Sequence, residues 1–338
     1  LGAGRLPEWN PTIFGGVPFL ADSQAQLFYP LSWPFRWLEA PDALAWSVAL
    51  HLGVLATGTY AWARYGLGLG VWGAWLAGTL FALSGYLGAQ VEHVNQVAAA
   101  AWLPWLLLGY ERARAAGRGE GGRRESWLIR RRFARPNSPL LGLALAMSFL
   151  AGHAQTTFIS LAMLGLWALR DVLRFYGRAR AGNQSLHRSL IPNLLSLLVI
   201  GLLGVLLAAI QLLPTQALSA LSPRAGGLTF REATSFSLDP RLLPRALLPT
   251  FGQDAPLLSE YVAWVGFTGL ALAAVGALQR KIATPAREFG LIAAAAGLLL
   301  AFGRYSPLFW VAWRLVPGFD LFRAPARWLL LWAFGISV

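Results

Sequence analysis

Apolar residues come in long runs along this chain, and short polar segments separate the runs. The clearest runs cover 43–65, 69–89, 191–213 and 261–278, and shorter ones cover 98–110, 291–302 and 328–338. A helix of about 20 apolar residues crosses roughly 30 Å of hydrocarbon. The pattern therefore predicts an all-α, polytopic bundle of membrane helices, with about nine spanning or re-entrant helices.

The interval 138–170 fits no single crossing. Its length would make a helix of about 50 Å, which is too long for one crossing, yet the interval is short for two. A hairpin that turns at 152–155 keeps the arginines of 170–188 on the same side as the other arginine-rich segments. We therefore predict two short helices here, with His153 and Gln155 at their outer end.

Charge divides the polar segments into two alternating sets. The segments at 64, 111–135, 170–188 and 280–288 together hold 18 Arg and Lys against 5 Asp and Glu. The alternating segments at 1–42, 90–96, 224–260 and 304–327 hold 10 basic and 10 acidic residues. Cytoplasmic loops of membrane proteins carry the excess of Lys and Arg, so the first set is predicted to be cytoplasmic and the second extracytoplasmic.

Composition agrees with a membrane protein and excludes several other classes. The chain of 338 residues is 56% hydrophobic and contains 16 Trp, whereas its basic residues, which give a net charge of +13, are confined to short loops. That distribution argues against a nucleic-acid partner and favours membrane lipid as the surroundings. Because the chain has no cysteine, disulfides and thiolate chemistry are excluded.

These assignments predict one transmembrane domain over 1–338. It comprises a first extracytoplasmic loop at 1–42, helices at 43–213 with basic cytoplasmic loops at 111–135 and 170–188, a large extracytoplasmic loop at 214–260, and C-terminal helices at 261–338. Leu1 and the apolar run that closes the chain lead us to expect that the natural protein extends beyond both ends.

The first extracytoplasmic loop is dense in Pro, Gly, aromatic residues and amides. Such a segment cannot form a spanning helix, and its bulky apolar residues would not stay in water. We expect it to pack onto the outer helix ends, either as a capping loop shaped by its turns or as one wall of a binding site. Its polar candidates are Glu8, Asn10, Asp22 and Gln24.

A second polar cluster covers 90–96, in a short turn between two predicted helices. Glu92, His93, Asn95 and Gln96 can all donate or accept hydrogen bonds. A plain turn would need only one or two polar residues, so the cluster favours a functional role.

Further polar residues fall on the same predicted face. His153 and Gln155 end the expected hairpin, and Arg224, Glu260 and Arg323 follow in later outer segments. Arginines at a membrane interface often only anchor lipid headgroups, which is the simpler interpretation of the last of these.

His51 lies alone in the middle of a predicted span. An ionisable residue there is a functional candidate, but a neutral histidine bonded to a neighbouring helix explains it equally well. A transporter or flippase of lipid-linked saccharides is the main alternative function, but transporters place ionisable groups and broken helices near the bilayer midplane, where this sequence offers only His51. A non-catalytic membrane assembly protein is a further alternative.

Carboxylates, histidines, amides and arginines at one outer face suit transfer from a lipid phosphate. A carboxylate or a histidine can take the proton of an acceptor hydroxyl, and arginine forks can neutralise a departing phosphate. The carboxylates could also bind Mg²⁺ or Mn²⁺, although no spacing requires a metal.

At these residues the chain resembles the YfhO-like bacterial membrane proteins, which belong to the polytopic GT-C class of glycosyltransferases. The resemblance is carried by several motifs spread in order along most of the chain: Leu6-Pro-Glu-Trp-Asn-Pro11 with Phe14-Gly-Gly16 and Phe28-Tyr-Pro30, His93-Val-Asn-Gln96, Ala101-Trp-Leu-Pro-Trp105, Gly152-His-Ala-Gln155, Leu212-Leu-Pro-Thr-Gln216, Ser222-Pro-Arg224, Glu260-Tyr-Val-Ala-Trp-Val-Gly266, Phe302-Gly-Arg-Tyr-Ser-Pro307, Val316-Pro-Gly318 and Phe322-Arg-Ala-Pro-Ala-Arg327.

The resemblance implies inverting transfer of a sugar from a polyprenyl-phosphate carrier to a cell-envelope glycan or glycolipid. The reaction would take place on the extracytoplasmic face of the bacterial cytoplasmic membrane, with an acidic residue of the first outer loop as base. Asp22 is the first choice and Glu8 the other acid of that loop, with Glu92 and His93 as second choices.

The gathering of polar residues at one predicted face suggests which residues bind the two substrates. The residues expected to hold sugar hydroxyls or the carrier phosphate are Asn10, Gln24, Asn95, Gln96, His153, Gln155, Arg224, Glu260 and Arg323.

Overall fold

A computed structural model of the protein describes residues 6–116, 139–180, 187–222, 225–249, 257–279 and 284–338. These parts are mostly helical, and strands β1 (Trp9–Asn10) and β2 (Val17–Pro18) form a small antiparallel hairpin. The α-helices are α1 (Ala40–Tyr65), α2 (Val71–Ala82), α3 (Gly85–Ala89), α4 (Val94–Ala100), α5 (Leu103–Ala116), α6 (Leu140–Leu150), α7 (Ala154–Arg180), α8 (His187–Ala220), α9 (Phe230–Ala233), α10 (Leu243–Ala246), α11 (Phe267–Leu278), α12 (Pro285–Ala301), α13 (Pro307–Leu315) and α14 (Leu329–Ser337).

Three helices in the described ranges are long and apolar enough to cross a membrane. They are Ala40–Tyr65, Ala154–Arg174 within α7, and Leu197–Ala220 within α8. These helices support a helical membrane protein. The number of about nine spanning or re-entrant helices stays a prediction.

Aromatic rings fill the centre of the bundle. Trp62 of α1 meets Phe289 of α12 edge-on, with 4.2 Å between ring centroids, and Phe81 of α2 stacks on Phe334 of α14 at 4.5 Å. All four side chains are fully buried. Offset and edge-to-face pairs of this kind add to the stabilisation from burial, so they hold the four helices together in one core.

The prediction of one helix over 69–89 was wrong. The helix stops at Ala82, and a new one begins at Gly85 after Ser84 takes an extended conformation as its N-cap. The Gly85 N–H donates to the carbonyl of Trp264 over 2.8 Å, and this tertiary bond replaces a helical one. Helix α2 is therefore about 18 Å long, which is too short to cross a bilayer alone.

The runs at 98–110 and 261–278 are also divided. In the first, α4 ends at Ala100 and α5 begins at Leu103, with Pro104 in its first turn, where a missing N–H costs nothing. In the second, only Phe267–Leu278 is helical, because the preceding Gly266 has a φ of 85°. Apolar length alone did not distinguish these broken segments from single helices.

The chain turns between α6 and α7 at 151–153, as the charge pattern predicts. The second helix of this hairpin is not short, however, since α7 has 27 residues. Helix α8 likewise runs beyond the predicted end at 213 and through Pro214 to Ala220. The segment predicted as a large loop at 214–260 therefore begins with helix.

One end of the bundle gathers the ends of all three long helices. Gln26, in the loop before α1, donates through Nε2 to the carbonyl of Ala151 just before α7, over 2.7 Å. Gln211, near the end of α8, donates to the carbonyl of Leu20 in the same loop over 3.1 Å. The first loop therefore lies across the start of α1, the start of α7 and the last turns of α8.

Candidate functional site

A cleft of about 590 Å³ opens at this end of the bundle. One wall is the first loop, the floor is the first turns of α1, and the facing wall is the turn that leads into α4. Its polar lining residues are Gln24, Gln26, Ser32 and Arg36 from the loop, Ser47 from α1, and Glu92, His93 and Asn95 from the turn.

The loop wall is fixed from below by Tyr29, which is fully buried. Trp102 donates through Nε1 to the Tyr29 hydroxyl over 2.9 Å, and that oxygen lies 2.8 Å from Nε2 of His51. The other ring nitrogen, Nδ1, lies 2.6 Å from the carbonyl of Ser47. Since a carbonyl can only accept, Nδ1 carries the proton and the neutral ring accepts the tyrosine proton at Nε2. His51 thus ties α1 to the first loop, and its tertiary partner is this loop tyrosine, whereas the simpler sequence interpretation expected a residue of a neighbouring helix.

Glu92 and His93 are the ionisable residues of the facing wall. Oε1 of Glu92 lies 3.8 Å from Nδ1 of His93, which is beyond hydrogen-bond distance, and the two side chains are 63% and 39% exposed. Nδ1 of His93 has no hydrogen-bond partner among the described residues. A carboxylate that is accessible and not tied up by a donor can take a proton from a bound hydroxyl.

The neighbouring amides divide into two roles. Asn95 lines the cleft, and its Nδ2 lies 3.4 Å from the carbonyl of Gly152. Gln96 is buried and donates through Nε2 to the Tyr86 hydroxyl over 3.2 Å. Gln96 therefore holds helices together and does not line the cleft.

Of the four first-loop residues that the sequence suggested, Glu8, Asn10 and Asp22 do not line the cleft, whereas Gln24 does. Asp22 is exposed and accepts from the Gln24 N–H over 2.9 Å as the N-cap of a short 3₁₀ turn. Asn10 accepts from the N–H and the hydroxyl of Thr12, and Glu8 is exposed beside β1. Gln24 is the member of this group that lines the cleft.

A second polar cluster lies deeper in the bundle. The guanidinium of Arg327 forms a two-pronged ion pair with Glu260, with Nη2 and Nε at 2.7 Å and 2.9 Å from Oε1. Its Nη1 donates to Oε1 of Gln155 over 2.8 Å, and Nε2 of Gln155 donates to the carbonyl of Arg323 over 2.5 Å. The predicted residues Gln155 and Glu260 are thus committed to internal contacts.

Arg323, one of the two predicted arginines, does not line the cleft. The side chain of Arg323 is exposed and lies beside a much smaller cavity with Phe158 and Phe322. Arg224 lies outside the described residues.

His153 stands between the cleft and the deeper cluster. Its Nδ1 accepts the backbone N–H of Thr156 over 3.2 Å, which requires an unprotonated nitrogen. Burial, followed by the positive charge of Arg327 and by His93, lowers the pKa of His153 to about 3. His153 is therefore a neutral helix cap, and its interaction with His93 places both histidines at the same end of the bundle.

Four polar lining residues went unnoticed in the sequence: Gln26, Ser32, Arg36 and Ser47. Arg36 carried a signal, because it lies between Trp33 and Trp37 directly before the first span. Within the described ranges, no group of three or more His, Asp or Glu side chains could hold a metal ion.

Comparisons of the chain with family models, with curated proteins and with solved structures gave no match.

Proposed function

We propose that this protein is a membrane glycosyltransferase that moves a sugar from a polyprenyl-phosphate carrier to a hydroxyl acceptor. The observation that carries the proposal is the cleft, in which a carboxylate, an arginine and several amides face one space at the end of helices long enough to span a membrane. The motif resemblance to YfhO-like GT-C proteins supports the same reaction in a bacterial cytoplasmic membrane, and the charge pattern supports an extracytoplasmic position for the cleft.

Glu92 is the proposed base. Its carboxylate takes the proton of the acceptor hydroxyl while the acceptor oxygen attacks the anomeric carbon from the face opposite the phosphate. The bond between the anomeric carbon and the phosphate oxygen breaks, its electrons stay on that oxygen, and the carrier leaves as a lipid phosphate. Attack from the opposite face inverts the anomeric configuration.

Glu92 is preferred to Asp22 because of their surroundings. One oxygen of Asp22 already caps a 3₁₀ turn and Asp22 does not line the cleft, whereas Glu92 faces it. Gln24 and Asn95 line the same space and can bind sugar hydroxyls through their amides. His93, next to Glu92, is placed to orient the acceptor.

The test measures transfer by purified protein in nanodiscs, supplied with polyprenyl-phosphate sugars that are radiolabelled in the sugar. We expect wild-type protein to consume at least one donor and Glu92→Gln to slow its consumption by 100-fold or more, the size of effect a general base provides. Glu39→Gln, at an exposed carboxylate just before α1, is the matched control and should keep the wild-type rate.

Two results would overturn the proposal: a full rate in folded Glu92→Gln, or no donor consumed across the common bacterial sugars. A flippase would move the labelled lipid between leaflets without breaking the sugar–phosphate bond, and chromatography of the lipid fraction separates the two reactions.

A further inference from the structure

Arg36 is the positively charged side chain among the described residues that line the cleft. Its Nη2 donates to the carbonyl of Leu27 over 2.6 Å, and its guanidinium carbon lies 5.9 Å from the ring centroid of Trp33. Leu27 is buried, so the first contact fixes one side of the guanidinium to the loop wall. The group is held in place without being enclosed.

Arg36 has no carboxylate partner within the described parts of the chain. Arg327, by contrast, is paired with Glu260, and Arg170 is paired with Asp171 and Glu288. Glu92 is the carboxylate that lines the cleft, and it forms no ion pair with Arg36. A guanidinium with a fixed orientation and free donors binds phosphate well, because its planar fork matches two phosphate oxygens.

An apolar strip leads away from Arg36 along the start of α1. Trp33 and Trp37 are 45% and 84% exposed, and Leu44 is 54% exposed. Leu44 also lines the cleft, so the strip is continuous with it. Because α1 is long and apolar enough to span a membrane, this strip would face acyl chains and the interface, where tryptophan is enriched.

We propose that Arg36 binds the phosphate of a lipid whose apolar chain lies along Trp33, Trp37 and Leu44. This inference deepens the proposed function and rests on it for the identity of that phosphate as the sugar-bearing one. Phosphate bound at Arg36 would lie across the cleft from Glu92, the arrangement that attack opposite to the leaving group requires.

The test measures binding without turnover. Purified full-chain protein in an uncharged maltoside detergent is titrated calorimetrically with dodecyl phosphate, and in parallel with inorganic phosphate and with phosphatidylglycerol. We expect dodecyl phosphate to bind at least tenfold more tightly than inorganic phosphate. Arg36→Gln should raise its Kd at least tenfold, and Arg36→Lys should raise it less, because lysine keeps the charge but loses the fork.

Two further arginines serve as controls. Arg314→Gln removes an exposed arginine from the predicted outer surface and should change the Kd less than twofold. Arg323→Gln tests the phosphate position that the sequence suggested and should also have little effect. Gel filtration checks folding of each variant, and Arg36→Lys preserves the test if Arg36→Gln fails to fold.

Each contrary outcome has its own meaning. Equal losses in Arg36→Gln and Arg314→Gln, or equal affinity for phosphatidylglycerol and dodecyl phosphate, would show only general attraction to anionic headgroups. Inorganic phosphate bound as tightly as dodecyl phosphate would mean a site for free phosphate. Either result overturns the inference. Arg36-dependent lipid-phosphate binding without any sugar transfer would instead remove the proposed function and leave this site in place.

Discussion

Gly152 lies directly against the carbonyl oxygen of Ser23, which joins the turn before α7 to the first loop. A Cβ at this glycine would overlap that oxygen, and the residue has a φ of +82°, a conformation that disfavours any side chain. The overlap arises because two predicted outer segments pack together here, whereas the φ belongs to the turn itself. The contact is therefore a direct probe of whether the first loop forms a wall of the cleft.

We expect Gly152→Ala to destabilise the protein by about 2 kcal/mol or more, from the unfavourable φ and the displaced loop together. Gly165→Ala is the matched control, because Gly165 is exposed in α7 with open space around it. That change should stabilise the helix by up to about 1 kcal/mol. Denaturant unfolding in detergent measures both, and equal stabilities would mean that the loop does not rest on this turn.

The sequence predicted those parts of the fold that the distribution of charged and polar residues determines. The hairpin at 152–155 followed from keeping the arginines of 170–188 on one side, and the polar turn at 90–96 does face the cleft through Glu92, His93 and Asn95. Helix breaks were not predictable from apolar length, because the break before Gly85 depends on a bond to Trp264, far away in the sequence. The role of Tyr29 was not predictable either, because its hydrogen-bond partners His51 and Trp102 belong to other segments.

The hydroxyl of Tyr29 serves two buried groups at once. It accepts from Trp102 and donates to His51, so Tyr29→Phe leaves an indole N–H and an imidazole nitrogen without partners. An unpaired buried polar group costs about 1–3 kcal/mol, and we expect a loss of about 2 kcal/mol or more. Tyr305→Phe is the control, since that exposed hydroxyl makes one 3.4 Å contact with Asp239 and should matter by less than about 0.5 kcal/mol.

Hydrogen exchange followed by mass spectrometry supplies a second measurement for Tyr29→Phe. We expect faster exchange at 24–36, which the phenol anchors, with little change in the core helices around Trp62. Uniform acceleration across the protein would mean that the hydroxyl supports the whole bundle and not the cleft wall in particular.

Glu260 neutralises Arg327 in a place where both side chains are largely buried, 12% and 19% exposed. Glu260→Gln would leave the guanidinium without a counter-charge, and breaking a buried pair from one side costs about 3 kcal/mol or more. We expect a loss of about 3 kcal/mol in the free energy of unfolding. The exposed Glu39→Gln should change stability by less than about 0.5 kcal/mol.

Replacing both partners, Glu260→Gln with Arg327→Gln, separates charge from packing. If the cost of the single change is an uncompensated charge, the double variant should be more stable than Glu260→Gln alone. A double variant with the summed loss of the two single changes would show that the side chains act independently.

His153 should make stability depend on pH. Burial and the charge of Arg327 lower its folded-state pKa to about 3, whereas the unfolded side chain titrates near 6.5. Between these values the unfolded state binds more protons, so stability rises with pH. The contribution of His153 is complete above pH 6.5 and is lost as the pH falls toward 3, by about 1.4 kcal/mol per pH unit.

His153→Asn isolates this effect, because the amide oxygen can still accept the Thr156 N–H but cannot titrate. From pH 7.5 to 5 we expect wild-type protein to lose about 2 kcal/mol more stability than the variant. Thermal unfolding in detergent at half-unit pH steps gives both curves, and carboxylates common to the two proteins cancel in the difference. Parallel curves would mean that His153 has the same pKa in the folded and unfolded states, which would contradict its role as a neutral cap that accepts the Thr156 N–H.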